Sequence, residues 1–191
     1  PMSVGLRAVQ RRIVELGLDT GRVADAMALG RAVAMTTYRT AREFADRFDI
    51  TPTYGERSAK FEVERYLVRS GEKFAERMPP ERFLALSLSA DLHHVRPESV
   101  TVPTTVSALQ GDTLVPPAQM RAMARRMPNL RALHTLQTPS GHDAFLTEDG
   151  RLGAILSASL SALSRIHPGH TGPPYCRAWP PPLPPTHTTA P

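Results

Sequence analysis

From Val102 to Phe145 the chain reads VPTTVSALQGDTLVPPAQMRAMARRMPNLRALHTLQTPSGHDAF. Val102 to Leu109 is a short run rich in β-branched residues, closed by Gly111. Pro116 to Met127 reads as a helix with proline in its first turn, where no partner for the missing N–H is needed. Leu130 to Thr138 is a second strand candidate, and Ala144 to Leu163 holds a final helix. Strand, helix, strand, helix at this spacing predicts parallel strands joined by a crossover helix. Sheets of this kind hold their sites in the loops after the C-terminal ends of the strands. Here those loops are Gly111-Asp112-Thr113-Leu114-Val115-Pro116 and Ser140-Gly141-His142-Asp143-Ala144-Phe145.

An acid after one strand and a histidine after the next, thirty residues on, match the second part of the α/β-hydrolase order of nucleophile, acid, histidine. The chemistry requires this pair. The imidazole must take a proton from the nucleophile through one ring nitrogen. The carboxylate must hold the proton of the other nitrogen, fixing the tautomer and stabilising the imidazolium. An Asp in a Gly-Asp turn is ordinarily a turn former, and Gly-His-Asp alone is ordinarily a loop. Together, after consecutive strands, Asp112 and His142 predict an α/β class chain: the C-terminal part of an α/β-hydrolase core. The nucleophile belongs in Gly-x-Ser-x-Gly, or a close variant, on a strand-to-helix elbow, and no such motif occurs. Ser3 lacks the first glycine and a preceding strand, and Cys176 sits among prolines. The order of the fold puts the nucleophile upstream of Pro1, and a chain that does not begin with Met fits that expectation.

The first half is helical by pattern. Val4, Leu6, Val9, Ile13 and Leu16 fall near helical spacing, with Gly17 as a possible stop. A second helix is expected after Asp19-Thr20, broken by the β-branched cluster Thr36-Thr37-Tyr38-Arg39-Thr40, and a third carries Phe44 and Phe48. Residues 49 to 58 read as loop and residues 59 to 95 as helix again, punctuated by Gly71 and Pro79-Pro80. The predicted organisation is a helical lid or cap over 1–95, the C-terminal part of the core over 96–163, and a Pro-rich tail over 164–191. About half of the 19 prolines lie in the last 24 residues, which excludes packed helix or central strand there and predicts disorder or polyproline II.

Hydrophobic residues make up 41% and charged residues 21% of the 191, an ordinary soluble composition with enough chain for a core. No apolar run reaches the length of a membrane span, and no signal-peptide pattern opens the chain. A single cysteine excludes an internal disulfide. The net charge of +5 raises nucleic acid as a partner. The arginines are scattered and interleaved with acids, as in Ala41-Arg42-Glu43-Phe44-Ala45-Asp46-Arg47, which reads instead as a solvated helix face. Neither nucleic acid nor membrane is expected as a partner. Asp91-Leu92-His93-His94 would need further ligands in suitable geometry to hold a metal, and no metal is expected.

Five stretches, in this order, resemble one family: Arg31 to Arg39 (RAVAMTTYR), Phe61 to Gly71 (FEVERYLVRSG), Phe83 to His93 (FLALSLSADLH), Gly111 to Pro116 (GDTLVP) and Gly141 to Glu148 (GHDAFLTE). The chain is similar over about Pro1 to Leu160 to the homoserine O-acetyltransferase family, with its serine and homoserine O-succinyltransferase members. The resemblance implies a cytoplasmic enzyme of methionine or cysteine biosynthesis, a homodimer when complete, with no cofactor beyond acyl-CoA as co-substrate. It implies that Arg31 and Tyr38, seven residues apart, line the amino-acid site and that Asp143 meets the substrate ammonium. An α-amino acid needs a cation for its carboxylate and an anion for its ammonium, and a guanidinium grips a carboxylate with two parallel hydrogen bonds. The implied reaction is ping-pong transfer of a succinyl or acetyl group from acyl-CoA to the hydroxyl of L-homoserine or L-serine. FLALSLSADLH and AVQRRIVELGLDTGR lean toward succinyl transfer. The alternatives are another α/β-hydrolase of esterase type, which needs Asp112 and His142 but no amino-acid clamp, or an inactive fragment.

Overall fold

The structure, a computed structural model, describes residues 2–55 and 58–166. It divides into two units, one through Leu152 and one from Gly153. In the first, helices α1 (Met2–Thr20), α2 (Val23–Tyr38) and α3 (Ala41–Arg47) lead to a short antiparallel hairpin, β1 (Thr53–Tyr54) with β2 (Ala59–Lys60). Helices α4 (Glu62–Ala75) and α5 (Pro80–Leu92) follow. Then β3 (Thr104–Gln110), α6 (Pro117–Ala124) and β4 (Leu130–Gln137) form the strand–helix–strand unit, and β3 and β4 pair in parallel. A 3₁₀ turn at Gly141–Asp143 runs into α7 (Ala144–Thr147), and α8 (Asp149–Ile166) begins two residues later. The described part of the second unit is the length of α8 from Gly153 onward. The sequence-based expectations for residues 167–191 lie outside the described residues.

Helix α2 is the centre of the helical region, packed on α1 on one side and α4 on the other. Its residues Ala26, Met27, Ala34 and Met35 are buried, as is Val14 of α1. Small residues at the crossings bring the helix backbones close together. Gly17 and Gly71, read from sequence as helix breaks, instead lie inside α1 and α4. A Cβ on Gly17 would stand 2.2 Å from Ala26 Cβ, and one on Gly71 2.3 Å from the Ala28 carbonyl oxygen. Close approach, not chain reversal, explains both. α1 in fact ends at Thr20, and Gly21 takes the left-handed φ of 69° that turns the chain. Gly71→Ala is expected to destabilise the fold by roughly 1–3 kcal/mol, despite the better helix propensity of alanine, because the α2 backbone must give way. Urea unfolding of the variant measures this.

The β-branched cluster after Met35 breaks the helix later than its pattern predicts. Thr36 and Thr37 stay in α2, their hydroxyls turned back to the carbonyls of Val33 and Ala34 at 2.7 and 2.8 Å. The extended residue is Arg39 (φ −111°, ψ 158°). Part of the expected loop at 49–58 is the hairpin strand β1. The expected last helix is divided at Glu148 into α7 and α8.

Two arginines of α1 tie it to α5. Arg7 Nε and Arg11 Nη1 donate to the two oxygens of Asp91 at 2.5 and 2.6 Å, and Arg11 also donates to Ser87 Oγ at 3.0 Å. Burial opposes the charge of Asp91, but the hydrogen bonds from Arg11 and Arg7 outweigh it and hold its carboxyl below the usual range. The carboxylate considered from sequence as a metal ligand is therefore already shared by two guanidinium groups.

Candidate active site

The loop after each strand carries a glycine with a left-handed backbone, Gly111 at φ 84° directly after β3 and Gly141 at φ 56° beyond the end of β4 at Gln137. Each is followed at once by a predicted site residue. The same residue, Thr40 of the α2–α3 junction, packs against both turns. A Cβ on Gly111 would lie 2.9 Å from Thr40 Cγ2, and one on Gly141 would lie 3.2 Å from Thr40 N. The Thr40 hydroxyl donates to the Pro139 carbonyl at 2.5 Å, and its oxygen accepts from Glu43 N, capping α3. The helical region thus locks the two strand ends at one point.

The Asp112 side chain is 4% exposed and every hydrogen bond it makes has a purpose. Oδ1 accepts from the backbone N–H groups of Leu114 and Val115 at 2.9 and 2.8 Å, which fixes the carboxylate plane. Oδ2 lies 2.9 Å from His142 Nδ1. A carboxylate only accepts, so Nδ1 carries the proton and Nε2 of the neutral ring is the basic nitrogen. The imidazole is held on its flanks by Tyr38, with ring centroids 5.9 Å apart, and edge-on by Phe145 at 5.7 Å. It lines a cavity of about 300 Å³ together with Ser3, Leu6, Arg7, Gln10 and Tyr38.

The structure distributes the other expected residues differently. Arg31 Nη1 donates to the Tyr38 hydroxyl at 3.3 Å, and its guanidinium lies over the rings of Tyr38 and Phe74 at 5.1 and 5.2 Å. Asp143 Oδ2 lies 2.9 Å from Arg39 Nε without hydrogen-bond geometry, a charge contact rather than a bond. Tyr38 and His142 line the cavity, whereas Arg31 and Asp143 do not. Arg31 and Asp143, expected to face the cavity of His142, are directed to other partners in this structure. Arg31 turns aside to the rings of Tyr38 and of Phe74 on α4, and Asp143 turns toward Arg39 at the α2–α3 junction.

Arg39 and Glu43 are the neighbours that sequence reasoning missed. Arg39 Nη1 donates to Glu43 Oε1 at 2.7 Å while meeting Asp143. Burial works against the Arg39 cation, but the hydrogen bond and charge of Glu43 and the charge of Asp143 hold its pKa above the ordinary value. The second Glu43 oxygen, Oε2, is buried with no hydrogen-bond partner among the described residues. Two carboxylates around one guanidinium leave a net negative charge beside His142. Thr40-x-x-Glu43 has the spacing of a helix N-cap box and could have signalled the start of α3. No local pattern could have shown that Arg39 faces a residue about a hundred positions later.

Solved structures of the α/β-hydrolase fold superpose on this chain. Esterase E22 does so with a TM-score of 0.70 at 14% identity, covering 83% of this chain and 50% of that one. The homoserine O-acetyltransferase from Bacillus anthracis does so with a TM-score of 0.63 at 10% identity, covering 77% and 46%. The fold and the strand-end pair place the molecule in the α/β-hydrolase class. In sequence, it is 40% identical over 160 residues to a homoserine O-succinyltransferase of Xanthomonas campestris pv. campestris, covering 84% of this chain and 43% of that protein. It is 33% identical over 146 residues to a homoserine O-acetyltransferase of Chlorobium chlorochromatii, covering 72% and 41%. No protein-family model matches. The chain belongs to the homoserine O-acyltransferase family, and it spans less than half the length of these curated relatives. No helix of the described residues is long and apolar enough to cross a membrane.

Proposed function

We propose that the chain is the acid- and base-bearing part of an acyl-CoA-dependent O-acyltransferase acting on the side-chain hydroxyl of L-homoserine or L-serine. The observation that carries this is the Asp112–His142 hydrogen bond at the ends of two consecutive parallel strands, in a chain whose relatives are named for acyl transfer to homoserine. A serine outside this chain attacks the thioester carbonyl, giving its proton to His142 Nε2. The C–S bond then breaks, the thiol of CoA leaves with that proton, and an acyl-serine remains. The amino-acid hydroxyl attacks the ester in turn, again deprotonated at Nε2, and the freed serine recovers the proton. Asp112 stabilises the imidazolium in both halves. The reaction needs no metal or redox cofactor, and the complete enzyme is read as a cytoplasmic homodimer.

Arg31, Tyr38 and Asp143 are assigned to the amino acid. Arg31 acts through the Tyr38 hydroxyl that it bonds, and Asp143 becomes available when the substrate ammonium competes with Arg39. The direct test uses the pure 191-residue chain with acetyl- or succinyl-CoA and homoserine or serine. No release of CoA thiol is expected, because no Gly-x-Ser-x-Gly elbow lies within it. The same assay on a longer protein that supplies the elbow is expected to show transfer. Turnover by the 191 residues alone would refute the assignment of the nucleophile to another segment.

A further inference from the structure

The cavity beside His142 has a charged wall that the proposed reaction does not yet use. Ser3, Arg7 and Gln10, with Leu6, form one face of α1, and all four line it. Gln10 is buried. Arg7 and Arg11 both bond to the single carboxylate of Asp91, and the three side chains are 33%, 16% and 7% exposed. Among the described residues, two guanidinium cations share one carboxylate, which leaves one positive charge in excess beside a carboxylate that is itself buried. Of the two, Arg7 is the one that lines the cavity. Its Nε is committed to Asp91, whereas a guanidinium has five N–H donors and can bond a second carboxylate through its outer edge. The Gln10 amide, one turn further along the same face, adds a further donor.

We infer that Arg7 recognises a carboxylate at the far end of the transferred acyl group, so that this enzyme takes a dicarboxylic half-thioester, of which succinyl-CoA is the four-carbon case, in preference to acetyl-CoA. The inference rests on the acyltransferase reading above. The acyl carbonyl must lie near His142, since its thioester is attacked by the serine that His142 deprotonates. His142 and Arg7 line the same cavity of about 300 Å³, so an acyl group attacked beside His142 shares that space with the α1 wall. An acetyl group carries no second carboxylate and leaves the Arg7 charge unmatched. A site built around a polar partner rejects the analogue that lacks it far more strongly than an apolar pocket rejects a missing methylene.

The test is single-turnover acylation of the complete enzyme, read as CoA thiol release without amino acid, with succinyl-CoA and acetyl-CoA side by side. Arg7→Gln is expected to lower the succinyl-to-acetyl ratio of acylation rates by on the order of 10²-fold, the worth of a charge-assisted pair. Arg11→Gln also removes a bond to Asp91, and with it the surplus charge, but leaves the Arg7 donors at the cavity, and its ratio is expected to fall far less than that of Arg7→Gln. A ratio unchanged in Arg7→Gln, or shifted as much by Arg11→Gln, overturns the assignment and makes Arg7 a tie between α1 and α5. A loss in Arg7→Gln confined to the KM of the amino acid also overturns it, since the carboxylate held is then the acceptor's. Failure of the wild-type enzyme to release thiol from either donor sinks the acyltransferase reading itself, a result distinct from both.

Discussion

Replacing His142 by alanine in the complete enzyme is expected to lower acylation by acyl-CoA and transfer to the amino acid alike, each by on the order of 10⁶-fold. The same nitrogen serves both half-reactions. Nδ1 is taken by Asp112 at 2.9 Å, so Nε2 alone can accept the proton of the serine and later that of the amino-acid hydroxyl. Asp112→Asn is the sharper experiment. The carboxamide oxygen can still accept from the backbone N–H groups of Leu114 and Val115, so the turn is expected to survive. The amide nitrogen then faces His142 Nδ1 and donates to it, which moves the ring proton to Nε2 and removes the base. A loss of roughly 10⁴-fold without loss of fold is the expected result, as in other enzymes with this arrangement. Stopped-flow thiol release measures the first half-reaction, and steady-state transfer the sum. Full acylation by either variant would rule out His142 as the base.

Arg31→Ala is expected to cost on the order of 2–4 kcal/mol in kcat/KM for the amino acid while leaving acylation nearly intact. An amino acid entering a closed site loses the hydration of two charges, and each must be met inside. The structure gives Arg31 an indirect route to the cavity. Its guanidinium bonds the hydroxyl of Tyr38, and Tyr38 lines the cavity beside the imidazole. Arg31 also lies over Phe74 of α4, so the substitution removes packing as well as charge. The two effects separate in the kinetics. A lost clamp raises KM for the amino acid and spares thiol release. Equal losses in both half-reactions would make Arg31 a packing residue and end its assignment to the substrate.

The strand–helix–strand unit was legible from Val102 onward because its signals are local. β-branched runs, a proline at a helix start and a glycine at a strand end each act within a few residues. The same is true of Gly111-Asp112 and Gly141-His142, where the sequence marks the position and residue type of a strand-end site. Helix stops were less legible. Gly17 and Gly71 carry the residue type of a break, yet their glycines serve contacts with Ala26 and Ala28, and those partners are settled by which helices cross.

By itself the sequence determined that an acid and a histidine follow consecutive parallel strands, and that a helical segment precedes them, since order along the chain and periodicity need no knowledge of distant contacts. Only the tertiary structure decided what each charge faces. Arg39 and Asp143 are 104 residues apart in sequence and meet beside His142. Arg31 turns to Tyr38 and Phe74, while Arg7 reaches both Asp91 and the cavity. A guanidinium on a long flexible stem is compatible with many surroundings, and its partner is selected by burial and by the nearest uncompensated charge, which exist only once the helices have packed.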